Sequence, residues 1–360
     1  MLTERQQLIL DEFLHEPTAF LSVGDLQPLV SVGRTTLFRD LAAMVEAGLL
    51  LPDALTRART YRLNPDSPAY LQWDLSRPPP QRPEVRYNPL LLENYQPNQT
   101  FLLSETQRTE LMRVGNIAGV DKLTPSKNYS RLISTLLIDL AHASSNLENV
   151  PISWLDTKTL IEFGEHPDGL NATELRIVLN HKSAINHLTS HAQDMQLSRR
   201  DLFDLHAQIA DGLIAETSAI GSLRHRVVRF ADSRYIPPDN PHLLREAFDQ
   251  FCDKANAIID PYEQAFFTMV FIPYLQPFQD GNKRTSRLAM NIPLLKNQLA
   301  PFSFTDLRKR DYMFGLLAFY ERGKYSFLAE AFVNAYRKTA PRYATLLDYI
   351  QQGGVLGTLT

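Results

Sequence analysis

The stretch Gln276-Pro277-Phe278-Gln279-Asp280-Gly281-Asn282-Lys283-Arg284-Thr285-Ser286-Arg287 constrains this chain more than any other. It follows a long apolar run, Ala265 to Leu275, which reads as a buried helix with Pro273 bending its last turn. Pro277 restricts the residue before it to extended geometry, so that helix is expected to end by Gln276. Asp280-Gly281-Asn282 is a turn signal, and a new helical pattern opens near Lys283. The segment is therefore helix, tight polar loop, helix. A loop feeding a helix N-terminus presents free N–H groups and the positive end of a dipole, a ready site for phosphate. Arg284 and Arg287 are three apart and share a helix face, so two guanidinium forks can meet one anion. Asp280 adds a carboxylate suited to Mg²⁺ beside those phosphates.

Phe278, Asp280, Gly281, Asn282, Arg284 and Arg287 all fall at the fixed positions of His-x-Phe-x-Asp/Glu-Gly-Asn-Gly-Arg-x-x-Arg. The stretch thereby resembles the Fic family signature. The resemblance implies a mainly α, Fic-type helical bundle that binds ATP with Mg²⁺ and transfers AMP to a Ser, Thr or Tyr hydroxyl of a target protein. Two positions depart from the pattern. Gln276 stands where the family has its histidine, and Lys283 where most members have a second glycine. Gly-Asn-Lys-Arg is closer to the Doc branch, which transfers phosphate.

A chain of 360 residues with 44% hydrophobic residues can bury a sizeable core in two or three domains. A net charge of −3 argues against a chain that coats nucleic acid or membrane. Cys252 is the only cysteine, which excludes an intrachain disulfide and suits a reducing compartment. The start of the chain lacks signal-peptide order and no apolar run spans a bilayer, so a cytoplasmic protein without membrane contact is expected.

Residues 1–64 show three helical patterns followed by two short strand patterns around 53–59. The text resembles bacterial winged helix-turn-helix domains, whose third helix enters the major groove. That resemblance implies that Arg34, Thr35, Thr36 and Arg39 face DNA. The charge is less encouraging: six arginines stand against eight acids over this stretch, a net of −2, although the arginines cluster in helix three and the wing. A winged helix used for protein contacts or a homodimer stays open.

The proline-rich residues 65–86 read as a stiff extended linker. Residues 87–150 read as a helical extension, 151–345 as the core and 346–360 as a tail. Within the extension, Ser144-Ser145-Asn146-Leu147-Glu148-Asn149 is by itself an ordinary polar helix end. Beside the signature it resembles the family's inhibitory pattern, Ser/Thr-x-x-x-Glu-Gly/Asn, which implies that Glu148 pairs with Arg287 and competes with nucleotide phosphate. Val227, Val228, Arg229, Phe230, Tyr235 and Ile236 are mostly strand formers and read as a β-hairpin. It resembles the family's flap, which holds a target segment by strand pairing. His181 and Arg224 sit in text that resembles the family; His181 reads as structural and Arg224 receives no chemical role.

Gln276 cannot accept a proton at any useful pH, so binding and transfer are expected to come apart. Three readings follow: an ATP–Mg²⁺-binding protein impaired in AMP transfer and held closed by Glu148; an enzyme with altered chemistry (slow AMP transfer, phosphate transfer, or Glu148-dependent removal of AMP); and a non-enzymatic DNA- or protein-binding regulator.

Overall fold

The computed structural model describes residues 2–53, 59–116 and 127–352, which form two compact units, Met1–Pro83 and Glu84–Thr360. In the first unit the elements run α1 (Glu4–His15), β1 (Leu21–Ser22), α2 (Val23–Leu26), α3 (Arg34–Glu46), β2 (Leu50–Pro52), β3 (Thr60–Leu63) and α4 (Pro68–Ser76). Helix α1 starts in a reciprocal cap between Thr3 and Gln6, which satisfies two orphan amides. Helix α3 buries Leu37, Leu41 and Met44 at the 3.6 period and stops before Gly48, whose φ of 69° a side chain would oppose. Its Asp40 is buried against Arg5 of α1, which ties the two helices together. Strand β3 lies between β1 and β2, both antiparallel to it, with Leu50 opposite Leu63. The tip between β2 and β3, which includes Arg57, lies outside the described residues.

The expected extended linker at 65–86 is corrected. Ser67 accepts the Tyr70 amide, Pro68 occupies the first helical position where its fixed φ suits a helix, and Leu71 and Leu75 are buried one turn apart. Proline content was therefore a helix start signal here, and the first compact unit continues to Pro83. Pro79–Gln81 forms a turn of 3₁₀ helix, and extended backbone within the stretch is found at Arg82 and at Val85–Arg86.

The second unit runs β4 (Val85–Arg86), α5 (Leu90–Glu93), α6 (Glu105–Gly115), α7 (Lys127–Leu147), α8 (Trp154–Phe163), α9 (Ala172–His191), α10 (Arg199–Ala210), β5 (Tyr235–Ile236), α11 (Pro241–Ala257), α12 (Pro261–Leu275), α13 (Asn282–Ala289), α14 (Asn291–Lys296), α15 (Lys309–Arg322) and α16 (Ser326–Gln351). Helix α12 is its axis: it is buried along nearly its whole length, and α6, α11, α13, α14 and α15 pack around it. A helix apolar on every side must lie inside a bundle. Helix α7 packs on α8, α9 and α16. Residues 346–351, expected as tail, continue α16; 353–360 lie outside the described residues. No helix among the described residues is long and apolar enough to cross a membrane.

The expected β-hairpin is also corrected. Residues 221–238 carry one strand, β5, and it pairs in parallel with β4, Val85 opposite Tyr235 and Arg86 opposite Ile236. Tyr235 and Ile236 are 1% and 2% exposed. The Tyr235 hydroxyl donates to Tyr274 O at 2.9 Å, and its ring stacks on Tyr274. Strand propensity here reflects burial of aromatic area rather than a hairpin.

Candidate functional site

Helix α12 ends at Gln276, which takes left-handed geometry (φ 48°), and the chain turns through Pro277–Asp280 to Gly281 (φ 79°), which opens α13. A Cβ at Gly281 would sit 3.3 Å from Ile209 Cγ2, so strain and crowding both favour glycine. The loop is closed by one amide. Asn282 Oδ1 accepts the Phe278 N–H at 2.8 Å, while its Nδ2 donates to Phe278 O at 2.8 Å and to Gln276 Oε1 at 2.9 Å. The Gln276 Nε2 donates to Pro273 O at 2.8 Å, an acceptor freed where the bend ends the helix. Both polar atoms of Gln276 are thus engaged within the loop.

Two buried residues brace it from outside. The Phe278 ring stacks on His206 at 3.9 Å. His206 Nδ1 accepts the Gly221 N–H at 3.1 Å, which leaves its proton on Nε2, 3.0 Å from Asp280 O. Burial holds its pKa down to about 4, so it stays neutral in this role. Arg224 donates through Nε to Gln276 O at 2.6 Å and through Nη2 to Pro238 O at 2.6 Å, and its amide donates to Pro277 O at 2.9 Å. Burial lowers its pKa to about 10, and it remains cationic at neutral pH. Nothing in a lone helical histidine marked His206 in the sequence. Arg224 was visible only as text near the loop.

Arg284 is itself buried and pairs with the exposed Asp280 at 2.8 Å. Arg287, fully buried, turns the other way and meets α7. Its Nη2 donates to Glu148 Oε1 at 2.6 Å and its Nε to Ser144 Oγ at 2.8 Å. Behind Ser144 lies His181. Because His181 Nδ1 is 2.8 Å from Ile177 O, which can only accept, the proton sits on Nδ1 and Nε2 accepts from the Ser144 hydroxyl at 2.7 Å. Ser144 therefore points its lone pairs at Arg287. Burial, then the nearby guanidinium of Arg287, lowers the His181 pKa to about 3, which keeps the imidazole neutral and the relay intact. Arg287 Nη1 is buried behind the cleft lining, on the side of the Tyr312 ring, without an acceptor at ordinary hydrogen-bond geometry.

Glu148 is aimed by the helix end itself. Asn149 is left-handed (φ 66°), the Asn149 amide donates to Asn146 O at 3.1 Å and the Val150 amide to Ser145 O at 3.1 Å. This is the paired 6→1 and 5→2 closure of a helix, with asparagine in the position glycine usually holds. It fixes Glu148 at the last half-turn. Burial raises the Glu148 pKa, but the Arg287 charge, with Lys283 and Arg284, outweighs it and brings the carboxyl to about 2.

One cleft of about 670 Å³ gathers these groups, a size ordinary for a small-molecule site. Gln276, Asp280, Gly281, Asn282, Lys283 and Arg284 line it from the loop, and Glu148 and Asn149 from α7. Val228, Arg229 and Phe230 line it from the 221–238 segment, and Met313, Leu317 and Tyr320 of α15 give it an apolar wall. Some expected site residues stand elsewhere. Phe278 is fully buried and organises the loop, and Tyr235 and Ile236 are buried structural residues rather than a docking edge. Val227 is half-exposed. Ser144 and Arg287 stand behind the lining, joined to it through Glu148. The expected DNA-facing group occupies the first unit, where Arg34, Thr35 and Arg39 are exposed and Thr36 is half-buried on α3. Among the described residues no group of three or more His, Cys, Asp or Glu side chains is arranged to hold a metal.

Residues 196–294 match the Fic/DOC family, so the segment that carries the loop is a Fic/DOC family domain. Ser144, Glu148, Asn149 and His181 lie outside that match. The chain is 24% identical over 162 residues to protein adenylyltransferase fic-1 of Caenorhabditis elegans, covering 43% of this chain and 31% of that one. It is 23% identical over 188 residues to protein adenylyltransferase Fic of Nematostella vectensis, covering 51% of this chain and 43% of that one. It thus spans less than half the length of these relatives. Solved structures share the fold: a Fic-1 fragment from C. elegans has a TM-score of 0.55 at 20% identity, over 67% of this chain and 71% of that one. A Fic family protein from Desulfovibrio desulfuricans has a TM-score of 0.55 at 20% identity, over 71% and 78%.

Proposed function

We propose that the second unit binds ATP in this cleft, that it is of the protein adenylyltransferase class, and that it is held closed by Glu148 and impaired in AMP transfer by Gln276. The observation that carries the reading is the ion pair between the part-exposed Glu148 and the fully buried Arg287, 2.6 Å long and set at the rim of a loop that feeds a helix N-terminus. One guanidinium cannot serve a carboxylate and a phosphate together. In the open form, phosphates would take the α13 amides, Arg284 and Arg287. The apolar wall of α15 suits an adenine. Asp280, 64% exposed, suits Mg²⁺, whose remaining ligands would come from phosphate oxygens and water. That ion would neutralise phosphate charge.

In AMP transfer a target hydroxyl attacks the α-phosphorus, pyrophosphate leaves, and the hydroxyl proton needs an acceptor. Gln276 offers none, because its Oε1 already accepts from Asn282 and an amide takes no proton. Loss of such a base slows transfer by about 10²–10⁴. Target segments would approach along the exposed 226–232 edge, where Val227 and Arg229 face solvent. Lys283 in the cleft supports a second reading, a shifted nucleotide that presents its γ-phosphorus.

The test is calorimetry with ATP–Mg²⁺ on the wild type and Glu148→Gly, followed by α- and γ-labelled ATP with lysate. Tighter binding in the variant, and α-label transfer that rises with Gln276→His, support the reading. Transfer of the γ-label alone supports phosphate transfer, and no ATP binding by either protein refutes both.

We further propose that the first unit is a winged helix that reads DNA through Arg34, Thr35, Thr36 and Arg39. The support is the exposure of Arg34, Thr35 and Arg39 on one helix beside a three-stranded sheet.

A further inference from the structure

A second cavity, of about 410 Å³, lies on the face of α7 turned away from Ser144. Asp139, His142, Ala143 and Asn146 follow the i, i+3, i+4, i+7 spacing along that face and form its floor. Trp154, Phe304 and Leu307 give it apolar walls, and Lys309 and Arg342 bring two cations to it. Leu147 and Lys309 line both this cavity and the nucleotide cleft.

Its walls have a definite chemistry. The Trp154 indole N–H donates to Asp139 Oδ1 at 2.8 Å, which fixes the ring while leaving the residue 39% exposed. The other Asp139 oxygen accepts from Tyr343 at 3.3 Å, so that carboxylate already holds two donors. His142 Nε2 accepts from Asn146 Nδ2 at 2.8 Å, and burial keeps the imidazole neutral. The fixed flat face is therefore an indole and the charges free to respond are cationic. Arg342 pairs at 3.1 Å with Asp306 and is 64% exposed, a rim charge that can swing. Lys309 is different. Its Nζ donates to Asn146 O at 3.2 Å and to Asn149 Oδ1, both neutral oxygens, and both belong to the turn that aims Glu148. An anion within reach would be the stronger partner for that ammonium.

We propose that this cavity binds a small planar carboxylate, its ring against Trp154 and its carboxylate between Lys309 and Arg342, and that binding withdraws Lys309 from Asn146 and Asn149 and so loosens the hold of Glu148 on Arg287. The regulatory half rests on the reading that Glu148 closes the nucleotide cleft; the binding half does not. A carboxylate that favours the open form must raise ATP affinity, and ATP must raise carboxylate affinity by the same factor.

The experiment uses the full chain with Trp73→Phe, which leaves Trp154 as its only tryptophan. Benzoate is the probe, with benzamide as its uncharged counterpart. The expected result is a saturable change in Trp154 fluorescence with benzoate, none with benzamide, and at least tenfold weaker benzoate binding in Arg342→Gln and in Lys309→Met. Saturating benzoate is expected to tighten ATP binding about fivefold or more, and Glu148→Gln is expected to abolish that coupling. No saturable response, or equal binding in both variants, overturns the site. Benzoate binding that leaves ATP affinity unchanged overturns the regulatory half. Failure of ATP to bind even Glu148→Gln refutes the nucleotide reading and leaves the benzoate result to be judged by itself.

Discussion

Replacing Glu148 by glutamine tests the closed site at the cost of one charge. The carboxyl pKa falls from an ordinary 4.5 to about 2 in the folded protein. That difference corresponds to about 3 kcal/mol in favour of the ionised form, since one pKa unit is about 1.4 kcal/mol. The folded value is depressed, so this stability is fully present above pH 4.5 and is lost as pH falls through 4.5 towards 2. Glutamine keeps the shape and an acceptor oxygen but leaves Arg287, fully buried, with only neutral partners in Ser144. The apo protein is expected to lose about 3 kcal/mol, at the low end for breaking a buried pair, or about 6–12 °C of Tm for the second unit. The same energy no longer opposes phosphate, so ATP–Mg²⁺ should bind up to about 100-fold tighter and restore the lost Tm. Scanning calorimetry with and without ATP–Mg²⁺, at pH 7.5 and fixed salt, reads both quantities. An unchanged Tm, or a lowered Tm with no gain in affinity, refutes the argument that one guanidinium is contested.

Ser144→Ala leaves His181 Nε2 and Arg287 Nε without partners and is expected to cost about 1–3 kcal/mol in urea unfolding even when Glu148 is intact. His181 and His206 have folded pKa values of about 3 and 4, both below the ordinary 6.5, so stability is full above pH 6.5 and declines as pH falls towards 4. Two protons give a slope of up to about 2.7 kcal/mol per pH unit, and a flat urea midpoint between pH 7 and 5 would contradict it. Gln276→His, combined with Glu148→Gly, is expected to raise α-label transfer by about 10²–10⁴, less whatever the lost bridge to Asn282 costs in loop order. In a gel shift at stated salt, Arg34→Ala and Arg39→Ala are expected to weaken DNA binding, and no shift with the wild type would leave the first unit as a protein-contact module.

The loop and its two helices were legible because each rests on local chemistry: an apolar run that must be buried, a proline that limits its neighbour, and an Asp-Gly-Asn turn. Glu148 was legible only through resemblance, since its meeting with Arg287 spans 139 residues of chain. The supports were not legible. His206, Arg224 and Lys309 act through carbonyl and amide groups brought near by packing, and no spacing in the sequence records such contacts. The two corrections have different causes. In 65–86 the Ser67 cap and Pro68 at the first helical position start a helix that buries Leu71 and Leu75. In 221–238 the strand formers Tyr235 and Ile236 do extend, but they pair with residues 85–86, about 150 positions away, rather than within a local hairpin.

The fork made by Asn282 has a further consequence, for time rather than affinity. Its side chain closes Gln276–Phe278 into a ring of hydrogen bonds before any ligand arrives. The Phe278 amide is buried at a closed contact and opens only when the whole bundle does, so its proton should exchange with solvent at the slow global rate, with or without nucleotide. The amides of residues 227–232, exposed or half-buried and outside any strand, should exchange orders of magnitude faster. The cleft then has one clock on each wall: a rigid side that never waits for its ligand, and a loose side whose ordering sets how fast a guest is enclosed.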